Sequence, residues 1–341
     1  MIVSFIKRLF PIIIGIGLVA CQPTAKIAEQ TFIEFGTLIK VTLVLGDHQN
    51  AENIFDQIEA CLHSQRRQWH AWEKSDLSEF NLALSSGEFV AVPDSVKDLV
   101  ELSIGYSEKT NNLFNPALGD LVAAYGFHNP EFGNVNKIDA IRTDIPVMSD
   151  LQWHGQLIRS TNQNLALDFG GIAKGLALSR IANMLDSNGI NNYLLNAGGD
   201  ITSAGMRNGK PWKIGIQNPF APGVVAGIKL ESDNSLFTSG NYQRFYRKGG
   251  RIVHHIIDPR NGLPSINIAS ATVMSTDPVL ADVAATTLMI DGIENHHNIS
   301  KRLGIDHYLI IDKDKRVIVS RQLYDQLELY TPWPVNIIEP E

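Results

Sequence analysis

Leu165-Ala166-Leu167-Asp168-Phe169-Gly170-Gly171-Ile172-Ala173-Lys174-Gly175 is the stretch on which the fold turns. Leu165, Leu167 and Phe169 alternate with Ala166 and Asp168, the period of a strand with one buried face. The paired glycines let backbone approach a ligand closely, and the next residues open a helix that ends near Asn188-Gly189. A helix N-terminus placed there favours an anion. The spacing is not the G-x-G-x-x-G of a dinucleotide fold. It is not a Walker A loop either, because Leu176-Ala177 stand where Lys-Ser/Thr would be needed. Pattern alone leaves a second reading open, a tight strand-to-helix turn with Lys174 in solvent.

Outward from this stretch the pattern mixes hairpins with helices. Phe32 to Leu45 reads as strand interrupted at Gly36-Thr37. Tyr193 to Leu195 and Trp212 to Ile216 read as strands, and Tyr242 to Ile257 as a hairpin turned at Lys248-Gly249-Gly250. Residues 51–69 and the run opened by Pro93-Asp94-Ser95 read as helices, and another helix is expected at about 278–290. A last hairpin is expected at Tyr308–Ile311 and Val317–Val319. The class is α+β, with mixed, largely antiparallel sheets and packed helices. The 341 residues are 44% hydrophobic and 19% charged, enough for a large core and too ordered a composition for a disordered chain. The net charge of -7, with no Lys/Arg cluster, excludes the basic footprint of a nucleic-acid binder. Two cysteines, Cys21 and Cys61, support neither a disulfide framework nor a cysteine zinc site.

Two further constellations carry chemistry. In Asp277-Pro278-Val279-Leu280-Ala281-Asp282-Val283-Ala284-Ala285-Thr286, Asp277 and Pro278 are a good N-cap and first helical residue. Asp282 and Thr286 are four apart, so both oxygens leave one helix face among small apolar neighbours. A buried carboxylate needs a partner. A hard cation such as Mg²⁺ is one solution; an unseen Arg or Lys, with Thr286 bonded back to the helix, is the other. In His254-His255-Ile256-Ile257-Asp258-Pro259-Arg260-Asn261-Gly262 a strand delivers His255 and Asp258 to a turn. Histidine beside an acid can move a proton near neutral pH, or Asp258 can simply satisfy turn amides.

The first twenty residues are expected to be a targeting segment. Lys7 and Arg8 precede the short apolar run Phe10–Val19, which is shorter than a membrane span. Leu18-Val19-Ala20-Cys21 resembles a bacterial lipobox, which implies lipid on Cys21 and a tether over 21–30. Acyl chains there would hold the protein on a membrane, facing the periplasm or cell exterior, without a spanning helix.

Taken together the blocks resemble the FAD:protein FMN transferases, the ApbE family. Those carrying the likeness include Phe35-Gly36-Thr37, Leu113-Phe114-Asn115-Pro116, Asp168 through Gly175, Asn196-Ala197-Gly198-Gly199-Asp200, Ser239-Gly240-Asn241-Tyr242, His255 through Gly262, and Asp282 through Thr286. The resemblance implies an ApbE-like fold over 31–330. It also implies Mg²⁺-dependent transfer of FMN from FAD to a Thr or Ser hydroxyl of an acceptor flavoprotein, a subunit of a membrane redox complex, with release of AMP. It implies Mg²⁺ at Gly171, Asp282 and Thr286, and FAD contacts at Phe35, Trp72, Leu113, Phe114, Asn115, Asp168, Lys174 and Ile256. Proton handling would fall to His255 with Asp258. Asn115 and Asn241 stand where the family often has Asp, and Asn261 where it usually has Thr. An FAD pyrophosphatase and a non-catalytic flavin-binding lipoprotein are the alternatives.

Overall fold

A computed structural model describes residues 26–127, 133–230, 233–248 and 251–340. The targeting segment 1–20 and Cys21 lie outside the described residues.

The centre is a nine-stranded sheet whose strands lie side by side in chain order. They are Lys26–Glu34, Thr37–Leu45, Tyr193–Ala197, Asp200–Ala204, Asn234–Gly240, Ile268–Ser275, Tyr308–Asp312, Val317–Ser320 and Val335–Ile338. Every neighbouring pair is antiparallel until the last, where Val317–Ser320 and Val335–Ile338 run parallel. Three of the eight joins are hairpins, and the longer connections carry the helices and the small sheets. The expected α+β class is the one observed.

One sheet face carries Val41, Leu195, Phe237 and Ala271 against three helices, Ala51–Trp69, Ala173–Ser187 and Pro278–Leu303. The other face packs Leu236, Leu309 and Val319 against a small sheet that includes Trp212–Gln217 and Val224–Leu230. With both faces covered, strands such as Asp200–Ala204 and Tyr308–Asp312 are buried throughout.

Three expectations need correction. Leu165–Phe169 is not a strand. Its side chains alternate inward, but it makes only an isolated bridge with Leu118, where the Ala166 carbonyl accepts from Gly119 N; its other backbone bonds include those to the Asn81 side-chain amide, at 2.8 and 2.9 Å, and to the Pro116 carbonyl. Alternation reported burial rather than a neighbouring strand. The tether expected over 21–30 gives way to strand at Lys26, which pairs with Leu45. The helix expected at about 278–290 is present; it breaks at Asp291, and a second helical stretch continues to Leu303. The domain expected to end at 330 includes Val335–Ile338, because that strand completes the sheet edge.

Candidate functional site

The site is assembled where two helix starts cross. Gly175, in the first turn of Ala173–Ser187, lies against Pro278–Leu303 so closely that a Cβ would stand 2.6 Å from the Pro278 carbonyl. At that crossing the Gly175 N–H donates to Asp282 Oδ2 at 2.9 Å. The first N–H groups of a helix have no partner within it, so the anion expected at this N-terminus is in part the Asp282 carboxylate itself. One turn further along the long helix, Thr286 faces Gly171, where a Cβ would stand 3.1 Å from Thr286 Oγ1. Ser239 Oγ, from the strand Asn234–Gly240, lies 3.2 Å from the same hydroxyl. Thr286 is thus turned to the site, while its neighbour Thr287 bonds back to the Val283 carbonyl.

These groups line a cavity of about 450 Å³. Phe35, Trp72, Leu113, Phe114, Asn115 and Asp168 share its wall with Gly171, Lys174, His255, Ile256, Asp282 and Thr286. Every site residue named from the sequence is there except Asp258. Phe35 enters from a two-residue hairpin turn in which both residues are left-handed, Phe35 at φ 52° and Gly36 at φ 70°. Its ring lies 6.3 Å from that of Trp69. Trp72 stands edge-on to His70 at 4.9 Å. Leu113 and Phe114 follow a tight turn after the helix Asp94–Lys109, where Asn111 and Asn112 take positive φ and Ser107 Oγ holds the Phe114 carbonyl at 2.6 Å.

Asn115 is occupied as a strut. Its Nδ2 donates to the Pro146 carbonyl at 2.8 Å and its Oδ1 accepts from Ala117 N, a pairing an ionised acid could not complete. Asn241 likewise donates to the Ile268 carbonyl, beside a bulge in the neighbouring strand. Asp258 faces away from the cavity. Its two oxygens take the Arg260 guanidinium at 2.8 and 2.9 Å, along with the Arg260 backbone N–H.

The electrostatics are those of an oxygen-rich pocket with its own counter-ion. Burial raises the Asp282 carboxyl above the usual carboxylate range and Asp200 adds to this, while Lys174 and the Gly175 N–H oppose it. Burial works to lower the Lys174 ammonium, but Asp200 and Asp282 outweigh it and hold the ammonium above its ordinary value. Lys174 pairs directly with Asp200, whose other oxygen accepts from Thr238 N at 3.0 Å. Burial, followed by the nearby Arg244 guanidinium, brings His255 down to about 4. His255 Nδ1 lies 3.3 Å from the Arg244 carbonyl, which fixes the proton on Nδ1 and leaves Nε2 as an acceptor.

Among the described residues, no three His, Cys, Asp or Glu gather as metal ligands. A cation here would rest on one carboxylate, with hydroxyl and carbonyl oxygens from Thr286 and Gly171. That donor set fits Mg²⁺, which takes one or two carboxylates and keeps water and phosphate for the remainder. Sequence reading missed Asp200, Ser239 and Arg244 as parts of the site. Asp200 and Ser239 sit in blocks that were noticed, but only the neighbouring strands bring them to Lys174 and Thr286; Arg244 carried no local signal.

Fold and site together define an α+β protein with an aromatic-walled cleft lined by carboxylate, hydroxyl and imidazole groups. The ApbE family model matches residues 35–309, and the chain belongs to that family. The FAD:protein FMN transferase of Rhodobacter capsulatus is 32% identical over 328 residues, which cover 94% of this chain and 62% of that protein. The chain therefore spans less than two thirds of that relative. The FAD:protein FMN transferase of Klebsiella pneumoniae is 28% identical over 307 residues, covering 86% of this chain and 87% of that one. The crystal structure of the ApbE protein of Thermotoga maritima superposes with a TM-score of 0.80 at 23% identity, covering 88% of this chain and 99% of that one. That match speaks to the fold. The flavinyl transferase ApbE of Pseudomonas stutzeri gives 0.73 at 28% identity, covering 85% and 92%.

Proposed function

We propose that this chain transfers FMN from FAD to a threonine or serine hydroxyl of an acceptor flavoprotein and releases AMP, with Mg²⁺ as cofactor. One observation carries the reading. Asp282, Thr286 and Gly171 meet on the wall of the same cavity that holds His255 with an unprotonated Nε2. The names of the relatives supply the substrate pair, and the ApbE family supplies the class.

In this reading the acceptor oxygen bonds to the FMN-side phosphorus and the bond from that phosphorus to the AMP oxygen breaks. His255 Nε2 takes the acceptor's proton while Nδ1–H stays on the Arg244 carbonyl. Lys174 and the Gly170-Gly171 turn bind the phosphates, and Phe35, Trp72 and Phe114 hold the rings and exclude water. Mg²⁺ on Asp282 and Thr286 would offset the negative charge of the pyrophosphate. We further propose that residues 1–20 direct export and that lipid on Cys21 holds the enzyme at a bacterial membrane, near acceptor subunits of a membrane redox complex. The sequence supports this: Lys7 and Arg8 precede a short apolar run that ends at Cys21.

The test is incubation of the full chain in detergent with FAD, Mg²⁺ and an acceptor flavoprotein domain, following AMP release and acceptor mass. A mass gain of one FMN, lost with EDTA or in Asp282→Ala, is the expected result. AMP without a mass gain would replace the reading with a pyrophosphatase, and bound FAD with no AMP would replace it with a flavin-binding protein.

A further inference from the structure

The turn Asp258–Gly262 contributes nothing to the cavity wall, yet it reaches the helix that carries Asp282 and Thr286. Arg260 spends Nε and Nη2 on the Asp258 carboxylate and extends Nη1 to Asp291 Oδ2 at 2.7 Å. Asp291 is the kink of the long helix, with φ -142° and ψ 23° inside otherwise helical backbone. The residue after it, Gly292, lies tight on the sheet, where a Cβ would stand 2.9 Å from Ile310 Cδ1. Just before the kink, Ser265 Oγ donates to the Met289 carbonyl at 3.0 Å. The Ser265 carbonyl is held in turn by the His254 ring. The segment that contains His255 is therefore tied to the long helix just before its break and at the break itself.

A non-helical residue interrupts the backbone ladder, so a kink does not fix its own angle. The part before it, Pro278–Ile290, carries Asp282 and Thr286 and reaches the cavity wall again at Ile290. Packing on the sheet and the Gly175 crossing hold that part along its length, and its end at Asp291 is where a group from the His255 segment can fix it relative to His255. Arg260 has the geometry for it. It is half exposed, but the side chains of the two carboxylates it joins are only 11% and 15% exposed. A solvent-facing ion pair adds little stability, whereas a planar fork between two fixed acids adds definite geometry.

We propose that Arg260 is a positioning residue for the transfer site. By bridging Asp258 and Asp291 it fixes the end of Pro278–Ile290 against the His255 segment, and with it the fine placement of the Asp282 and Thr286 oxygens relative to the His255 imidazole. The activity arm of the test rests on the transferase reading; the binding arm does not.

Arg260→Ala, Arg260→Lys, Asp291→Ala and the Arg260→Ala/Asp291→Ala double variant are compared with the full wild-type chain in detergent. AMP release gives kcat and KM for FAD, and the rise in melting temperature on adding Mg²⁺ without FAD reports the cation site. Arg260→Ala and Asp291→Ala should each lower kcat by about 10–100-fold, as loss of a group supporting a ligand set does. KM for FAD should change little, and the Mg²⁺-induced rise should shrink. The double variant should be no worse than either single one, because one link is being cut twice. Arg260→Lys, a point charge that cannot span both acids, should fall between wild type and Arg260→Ala. A folded Arg260→Ala with lowered melting temperature but wild-type kcat and Mg²⁺ response overturns the proposal, as do additive losses in the double variant. Should Arg260→Ala not fold, Asp291→Ala and Arg260→Lys decide on the same readouts. A wild type that releases no AMP sinks the transferase reading and leaves the Mg²⁺ response to judge Arg260. A wild type with no Mg²⁺ response overturns the proposal outright.

Discussion

The Gly175 N–H meets Asp282 Oδ2 at 2.9 Å, at a point where a single added methyl on Gly175 would collide with the Pro278 carbonyl. Helix start, helix crossing and site carboxylate are thus one feature. Gly175→Ala forces the two helices apart. We expect a loss of about 1–3 kcal/mol in stability, the usual cost of overpacking. Transfer should fall further than stability does, because Asp282 moves with its helix. Urea unfolding beside AMP release checks this; wild-type turnover in Gly175→Ala would show that the crossing does not set the site.

Asp282 is costly to the protein when only the Lys174 charge and the Gly175 N–H offset its burial. Burial disfavours its charge, and Asp200 adds repulsion. Asp282→Asn keeps the acceptor for the Gly175 N–H and removes the buried charge. Without Mg²⁺ the variant should be more stable than wild type by about 1 kcal/mol, the exchange of stability for function seen at active sites. Mg²⁺-dependent AMP release should disappear. A variant less stable than wild type in EDTA would mean that the Lys174 contact outweighs burial.

His255 sits near 4 rather than 6.5, held there by burial and Arg244. A base in that state is ready across the neutral range. kcat/KM for FAD, which reports the free enzyme, should stay flat from neutrality down to about pH 5 and bend near 4. The stability sign follows from the same depression. The unfolded chain takes up this proton first, so the contribution is complete above 6.5 and is lost as pH falls towards 4. His255→Gln should remove that part of the acid destabilisation and flatten the acid limb. A bend at 6.5 would show that the imidazole is solvated in the working enzyme.

Much of this architecture was legible in the chain. The four-residue spacing of Asp282 and Thr286 placed two oxygens on one face, and Gly170-Gly171 marked a close approach, now seen against Thr286. What failed did so for lack of a partner in view. Leu165–Phe169 alternates as a strand does, but Asn81, far away in sequence, takes its backbone bonds. Asp258 looked like a proton carrier beside His255, although Arg260, two residues on, claims both its oxygens. That pairing was within local reach, whereas the place of Asp200 beside Lys174 depends on a strand order that no local pattern encodes.

Phe35 shows strain retained at the cavity. It occupies the first position of a two-residue turn at φ 52°, a conformation that suits Asn or Gly and penalises a large side chain by roughly 1 kcal/mol. The ring it delivers to the cavity wall is the compensation. Phe35→Asn turns the tip into Asn-Gly, the favoured pair for such a hairpin, while removing an aromatic face from the cavity. Relief of the strained turn is offset by the lost packing of the ring on Trp69 and the core, so the melting temperature without FAD should move by no more than about 2 °C. FAD affinity should fall by about tenfold, the equivalent of about 1.4 kcal/mol for one lost ring contact. Calorimetry and fluorescence titration separate the two effects. Lower stability with unchanged FAD affinity would mean that the ring packs on Trp69 alone and does not face the flavin nucleotide.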